Sequence, residues 1–212
     1  MKDHPIIFSG PMVRAILAGT KTQTRRVIKM RDGSLCEDED IPAYEGARVP
    51  YVMDFSKTFP RWQQLDCPHG VPGDSLWVRE KWKCEELPEN GLDGVRYAAD
   101  NSFIEIENTR EASELWGEAN RPGGKWRPSI FMPHWASRIA LVIVNVRVER
   151  VQEISVDDIY AEGCRPISSD EDGSELYEWY SDLWDSINLK RGCGWEVNPY
   201  CWCLTFKKLE VR

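Results

Sequence analysis

Eight residues hold the densest collection of reactive side chains: Gly19-Thr20-Lys21-Thr22-Gln23-Thr24-Arg25-Arg26. One lysine, three threonine hydroxyls and two adjacent arginines follow an amphipathic segment, and none of them helps to build a core. The set suits an anion or a nucleobase. Acyl transfer needs a nucleophile, a base and a group that steadies the oxyanion. Thr24 can supply the hydroxyl. Lys21 can take its proton only if burial, or the neighbouring Arg25 and Arg26, pull an ammonium pKa of about 10.4 toward neutral. A guanidinium can clamp a phosphate. Consecutive strand residues point to opposite faces, so only one of Arg25 and Arg26 is expected to face a pocket. The plain alternative is a solvated loop lysine followed by an ordinary strand threonine.

The elements that must position this run can be read around it. Pro5 to Phe8 reads as a short buried strand. Gly10-Pro11 opens a helix, with Pro11 suited to the first turn, and Met12, Val13, Ile16 and Leu17 fall at helical spacing. Gly19 stops it. Lys21 to Arg26 therefore leaves a helix end and runs into a strand at Arg26-Val27-Ile28. Further on, Pro72-Gly73-Asp74-Ser75 is a turn. In the strand that follows, Leu76, Val78 and Glu80 share one face, with Trp77, Arg79 and Lys81 on the other. Arg138 to Val151 is the clearest strand signal, with Ala140, Val142, Val144, Val146 and Val148 as its fully apolar face. Ile154 to Gly163 reads as a helix capped by Ser155 and ended by Gly163. Leu176 to Ile187 carries an i, i+3, i+4 apolar stripe, read as core packing. The last strand starts at Cys201.

Two stretches, about 30–66 and 84–124, lack this periodicity. The first holds an acidic knot, Glu37 to Asp40. The second offers a strand end at Tyr97-Ala98-Ala99-Asp100, a short helix over Glu111 to Ala119 and a break at Arg121-Pro122-Gly123-Gly124. Both read as insertions in one domain spanning 1–212. The strands are too irregularly spaced for a doubly wound sheet, and a small mixed β-barrel flanked by helices, class α+β, fits better.

Composition narrows the function. The 212 residues are 42% hydrophobic with a net charge of −8, which argues against a generic polyanion or duplex-DNA binder. Residues 1–31 nevertheless carry seven Lys or Arg against the single acid Asp3, a local basic site suited to a small anionic or nucleotide ligand. No apolar run approaches the roughly 18 residues of a membrane span, and the first residues lack a signal-peptide pattern. A cytoplasmic protein that needs no membrane is expected. Seven cysteines, an odd number, argue against a disulfide framework. Cys67-Pro68-His69 with Cys36 or Cys84 matches no zinc spacing well, so neither a metal nor a cofactor is expected. Trp126, Arg127, His134 and Trp135, and likewise Trp77 and Trp82 around Arg79, are candidates for stacking and holding bases, set against core packing.

Taken in order, the Ala18-to-Arg26 run, the Pro72-Gly73-Asp74 turn before Leu76-Trp77-Val78, the Ala161-Glu162-Gly163 helix end and the Trp202-to-Phe206 strand resemble the ASCH domain family. With its two insertions and the segment Trp126-Arg127-Pro128-Ser129-Ile130, the chain is similar to the larger ASCH proteins of phages and prophages. The resemblance covers the core elements, about half of the chain. It implies a PUA-like β-barrel and work on RNA or nucleosides. One small bacterial member removes the acetyl group from N(4)-acetylcytidine, and its catalytic lysine, threonine and glutamate carry over onto Lys21, Thr24 and Glu162. The resemblance also favours Arg26 over Arg25 as the residue that holds ligand. Three functions stay open: hydrolysis of an acyl amide on a modified nucleoside, RNA binding without catalysis, and a phage effector whose insertions bind a host protein.

Overall fold

The structure, a computed structural model, describes residues 1–29, 51–54, 61–64, 66–87, 91–120, 124–164 and 174–209. Most of the expected first insertion, including Cys36 and the Glu37–Asp40 knot, lies outside these, as do Arg121 to Gly123. The described residues form a mixed α+β structure. Its centre is a five-stranded sheet with the order β1-β5-β9-β10-β2. These strands are β1 (Asp3–Ile7), β2 (Gln23–Val27), β5 (Ser75–Arg79), β9 (Ala140–Arg150) and β10 (Tyr200–Lys208). β1 runs parallel to β5, and the other pairings are antiparallel. β1 and β2 are the two edge strands. No ladder joins them among the described pairings, so the expected closed barrel is not what the hydrogen bonds draw.

Helix α1 (Gly10–Leu17) packs on one face of the sheet. Val13 and Ile16 bury against Ile6, Leu76, Val78, Leu141, Ile143, Leu204 and Phe206. The other face is covered by α3 (Val156–Ala161) and α4 (Ser174–Asn188), whose Ile159, Leu176, Tyr180 and Trp184 pack against Cys201 and Cys203. The two cysteines are small core residues.

The long strand β9 corrects one expectation. Its buried residues near the start are Leu141 and Ile143, while Val144, assigned to the apolar face, is 44% exposed. Thr205 pairs with Asn145 and Phe206 with Ile143, so Val144 is an extra residue with no partner. This β-bulge exchanges the faces of the strand. Odd residues face α1 before it; even residues, Val146 and Val148, pack on that side after it. Beyond the bulge Arg147 and Glu149 therefore point toward α3 and α4.

The second stretch without periodicity is folded. β6 (Trp82–Leu87), β7 (Leu92–Tyr97) and β8 (Phe103–Glu105) make a three-stranded antiparallel sheet. α2 (Arg110–Asn120) closes it by burying Trp116 against Trp82, Cys84, Val95 and Tyr97. Its strands are short and carry Lys83, Glu85, Asp93 and Arg96 among their less buried residues, which hid their alternation. β3 (Tyr51–Asp54) and β4 (Arg61–Gln64) form a separate two-stranded sheet. Among the described residues no helix is long and apolar enough to cross a membrane.

Candidate functional site

Two helix ends meet to make the centre of the site. α1 finishes with Ala18 as C-cap and Gly19 at φ +75°. Thr20 N–H donates to Ala15 O and Gly19 N–H to Ile16 O. α3 finishes in the same way, with Glu162 as C-cap and Gly163 at φ +99°. Cys164 N–H donates to Ile159 O and Gly163 N–H to Tyr160 O. Both are Schellman endings, which need a residue at ease with positive φ. Gly163 has a second duty. A Cβ there would lie 3.2 Å from the Ala15 Cβ and 3.3 Å from the Lys21 Cβ, so its bareness lets the two helix ends approach.

The approach brings Lys21 onto Glu162. The Lys21 Nζ donates to Glu162 Oε2 at 2.6 Å and to the Glu162 backbone carbonyl at 2.9 Å. The Lys21 side chain is wholly buried, which rules out the solvated loop lysine. Its ammonium also answers the negative end of α3, where a lone carboxylate would be poorly placed. Burial pulls the Lys21 pKa below its ordinary value. Glu162 opposes that shift, and the charges of Arg26 and Arg25 add to it.

Arg25, which the resemblance ranks behind Arg26, belongs to the same cluster. β2 begins at Gln23, earlier than its apolar residues signal, so Gln23 and Arg25 sit on the α3 side. Arg25, Cys203 and Arg147 are in register across three strands, as are Val27, Cys201 and Glu149. The fully buried Arg25 guanidinium donates to Asp158 Oδ2 at 2.7 Å, Glu149 Oε2 at 3.1 Å and Gln23 Oε1 at 2.6 Å, and lies 3.5 Å from Glu162 Oε1. Asp158 also accepts from Gln23 and Arg147. Burial would raise the Asp158 pKa, but these hydrogen bonds win and hold it at about 2. Sequence reasoning missed this network because its members are spread over β2, β9 and α3, and two of them, Arg147 and Glu149, reach their face only through the bulge.

Beside this cluster lies a cleft of about 820 Å³, running between the free edges of β1 and β2. Thr24, Arg25, Arg26 and Glu162 line it from one side, Ile7 and Phe8 from the other. Arg26 spans it: its Nη2 donates to the Ile7 carbonyl at 2.8 Å and its guanidinium lies 5.1 Å over the Phe8 ring. Tyr180, Leu183, Trp184 and Ile187 of α4 form a further wall, so the stripe read as core packing serves the cleft as well. Lys21 sits behind Glu162 and does not itself line the cleft. Glu162 Oε1 is buried and has no hydrogen-bond partner, and neither has Arg25 Nε. Buried polar atoms are nearly always hydrogen-bonded, and Glu162 Oε1 has only the Arg25 ion pair at 3.5 Å, so it keeps acceptor capacity to spare beside the cleft.

The aromatic candidates lie elsewhere. Trp77 meets His134 edge to face at 5.1 Å with Arg79 over its ring, and Arg79 donates to the Ile130 carbonyl. Trp77 and His134 line a second cavity, of about 650 Å³, between the main sheet and the α2 layer. Trp126 is 40% exposed and flanked by Lys81 and Lys83; Arg127 covers the buried Trp82. None of Trp77, Arg79, Trp126 and Arg127 is among the residues lining the cleft at Glu162, so the single site expected to join them to Lys21 and Thr24 is divided. Among the described residues no group of three or more His, Cys, Asp and Glu is placed to hold a metal ion.

Comparison with known proteins adds little. No family model matches the chain, and no curated protein matches it. A crystal structure of the protein EF3133 from Enterococcus faecalis V583, assigned to family-model DUF984, aligns over all of this chain and 83% of that one, at 10% identity and a TM-score of 0.42. A likeness at that level carries no conclusion about function.

Proposed function

We propose that the cleft between β1 and β2 binds a modified nucleoside, free or within RNA, and hydrolyses an acyl amide on its base, as in N(4)-acetylcytidine. The observation that carries this reading is the Lys21–Glu162 pair: a wholly buried lysine fixes one oxygen of a carboxylate whose other oxygen makes no hydrogen bond and has only the Arg25 ion pair at 3.5 Å, on a residue lining a cleft that also holds a threonine and an arginine. The ASCH resemblance supports it, and so does Arg26, whose bond to Ile7 ties the two sheet edges that a PUA-like barrel would close.

Lys21 is better suited to hold Glu162 than to act as the base itself, because its Nζ already serves two acceptors. Glu162 Oε1 takes the proton of the Thr24 hydroxyl as that oxygen attacks the acyl carbon. The carbonyl electron pair moves onto oxygen, facing the Arg26 guanidinium. Collapse breaks the C–N bond, and Glu162 returns the proton to the leaving exocyclic amine. Water, deprotonated in turn by Glu162, cleaves the Thr24 ester to give acetate and restore the hydroxyl. Acid–base help of this kind is worth about 10²- to 10⁴-fold in rate.

RNA binding without turnover is the second reading, favoured by the Lys21–Glu162 carbonyl bond, which a helix cap alone would explain. Incubation with N(4)-acetylcytidine separates the two. Free cytidine is expected from the wild type, and not from Lys21→Ala or Thr24→Ala. An inert wild type, or full activity in both variants, ends the enzymatic reading.

A further inference from the structure

The cleft is electrically lopsided. Its lining includes Arg25, Arg26, Lys29 and Arg191 but a single carboxylate, Glu162, in a chain whose net charge is −8. Arg25 is neutralised from behind by Asp158 and Glu149. The other three cations have no carboxylate within ion-pair distance among the described residues. Burial lowers the Arg26 pKa; the charge of Glu162 opposes that shift and the charge of Arg191 adds to it. Lys29 and Arg191 are exposed, whereas Glu162 is 5% exposed. The buried end thus presents an acceptor and the open end presents uncompensated positive charge. Like charges gathered without counter-charge cost free energy, and a phosphate relieves that cost by charge-assisted hydrogen bonds. His69 adds no charge of its own here, because burial and the charge of Arg26 pull its pKa down to about 4.

We infer that Lys29 and Arg191 form a phosphate subsite at the mouth of the cleft, so that its ligand is a phosphorylated nucleoside rather than a free one. This rests on the nucleoside reading above and adds the class of substrate. A phosphate monoester of a nucleotide and a phosphodiester of single-stranded RNA offer the same chemistry to this subsite.

The test is calorimetric titration of the whole chain with cytidine, cytidine 5′-monophosphate, cytidine 3′-monophosphate, a short cytidine-containing RNA and inorganic phosphate. It is run on the wild type and on a Lys29→Ala/Arg191→Ala double variant whose fold is checked by circular dichroism. At least one monophosphate is expected to bind roughly tenfold or more tightly than cytidine, since a hydrogen bond to a charged group is worth that much. In the double variant the ratio is expected to fall toward one. RNA binding more tightly than either monophosphate, with an affinity that falls steeply as salt rises, identifies the polymer as the source; the reverse order identifies the free nucleotide. A wild-type ratio near one, or a ratio unmoved in the double variant, overturns the phosphate subsite and leaves the nucleoside reading standing. Inorganic phosphate that binds the wild type and not the double variant, with no cytidine ligand bound at all, supports the subsite and overturns the nucleoside reading. Absence of all binding overturns both.

Discussion

Two buried charge clusters sit at opposite ends of the sheet, and they are finished differently. At one end Arg138 links β9 to the small sheet. Its Nε and Nη2 grip Glu80 at 2.8 and 3.0 Å, its Nη1 reaches Asp100 at 2.9 Å, and its guanidinium covers the Tyr97 ring at 4.1 Å. Asp100 in turn accepts from Ser102, and no atom of Arg138, Glu80 or Asp100 is left buried without a partner. At the other end, Lys21, Arg25, Asp158 and Glu162 are as tightly knit, yet Glu162 Oε1, 3.5 Å from Arg25 Nη1, and Arg25 Nε make no hydrogen bond, and both residues line a cleft. Burial alone therefore does not separate the two clusters. A complete set of bonds makes a rivet, and a set with bonding capacity to spare beside a cleft makes the candidate site.

The comparison breaks most sharply on catalysis. Glu162→Gln is expected to lower deacetylation of N(4)-acetylcytidine by about 10²- to 10⁴-fold, since it removes the proton acceptor. If residual activity merely tracks the folded fraction in a thermal melt, Glu162 is another rivet. Arg138→Met is the counterpart. It strands Glu80, which is 1% exposed, and is expected to cost about 3–5 kcal/mol in denaturant unfolding while leaving turnover per folded molecule unchanged. A fall in turnover there would erase the distinction from the other side.

Gly163→Ala should act on both properties at once. Strain at positive φ and the crowding of Lys21 are expected to cost more than about 1 kcal/mol. Turnover should fall too, because the helix ends can no longer hold Lys21 on Glu162. Equal stability and activity to the wild type would mean that the close approach is incidental.

The smallest effect is in pH. His69 has a folded-state pKa of about 4 against an ordinary 6.5, so the unfolded chain binds its proton first and stability falls from pH 6.5 toward 4. Asp100 and Asp158, at about 2 against 3.8, stabilise fully above 3.8 and lose that contribution only as pH falls through 2. Melting temperatures of the wild type and His69→Gln at pH 7 and 4.5 should therefore converge on a smaller loss in the variant. An identical loss in both would show that His69 stays proton-accessible.

Much of this arrangement was legible in the sequence, and what was not has identifiable causes. Periodicity marked α1 and α4, and the Ser155 cap and Gly163 stop marked α3, because those signals are local. The β5 faces were legible because Leu76, Val78 and Glu80 alternate without interruption. The resemblance named Lys21 and Glu162 together, which their sequence separation of 141 would have hidden from any local reading. Arg25 was misjudged because alternation in β2 says which residues share a face but not which face meets carboxylates. Of the layer of β6 to β8 only the strand end at Tyr97 and the helix over Glu111 to Ala119 were legible, because its core, Trp82, Cys84, Val95 and Trp116, is assembled from widely spaced residues. The tryptophans at 77 and 126 are conspicuous as residue types, but type alone does not tell on which side of the sheet a ring falls.

The bulge at Val144 behaves like a phase shift in a wave. Upstream of it the strand keeps time with one face of the sheet, downstream with the other, and the shift is one residue of chain. Deleting Val144 would remove the bulge and leave the pairs on either side of it, Ile143 with Phe206 and Asn145 with Thr205, in step. Straightening the ladder while keeping Val144 would instead put every downstream side chain half a period out: Arg147 and Glu149 would turn toward α1, and Val146 and Val148 would face Arg25 of β2. The electrostatics of the cleft thus depend on a ladder that skips one residue, which is not itself among the residues lining the cleft.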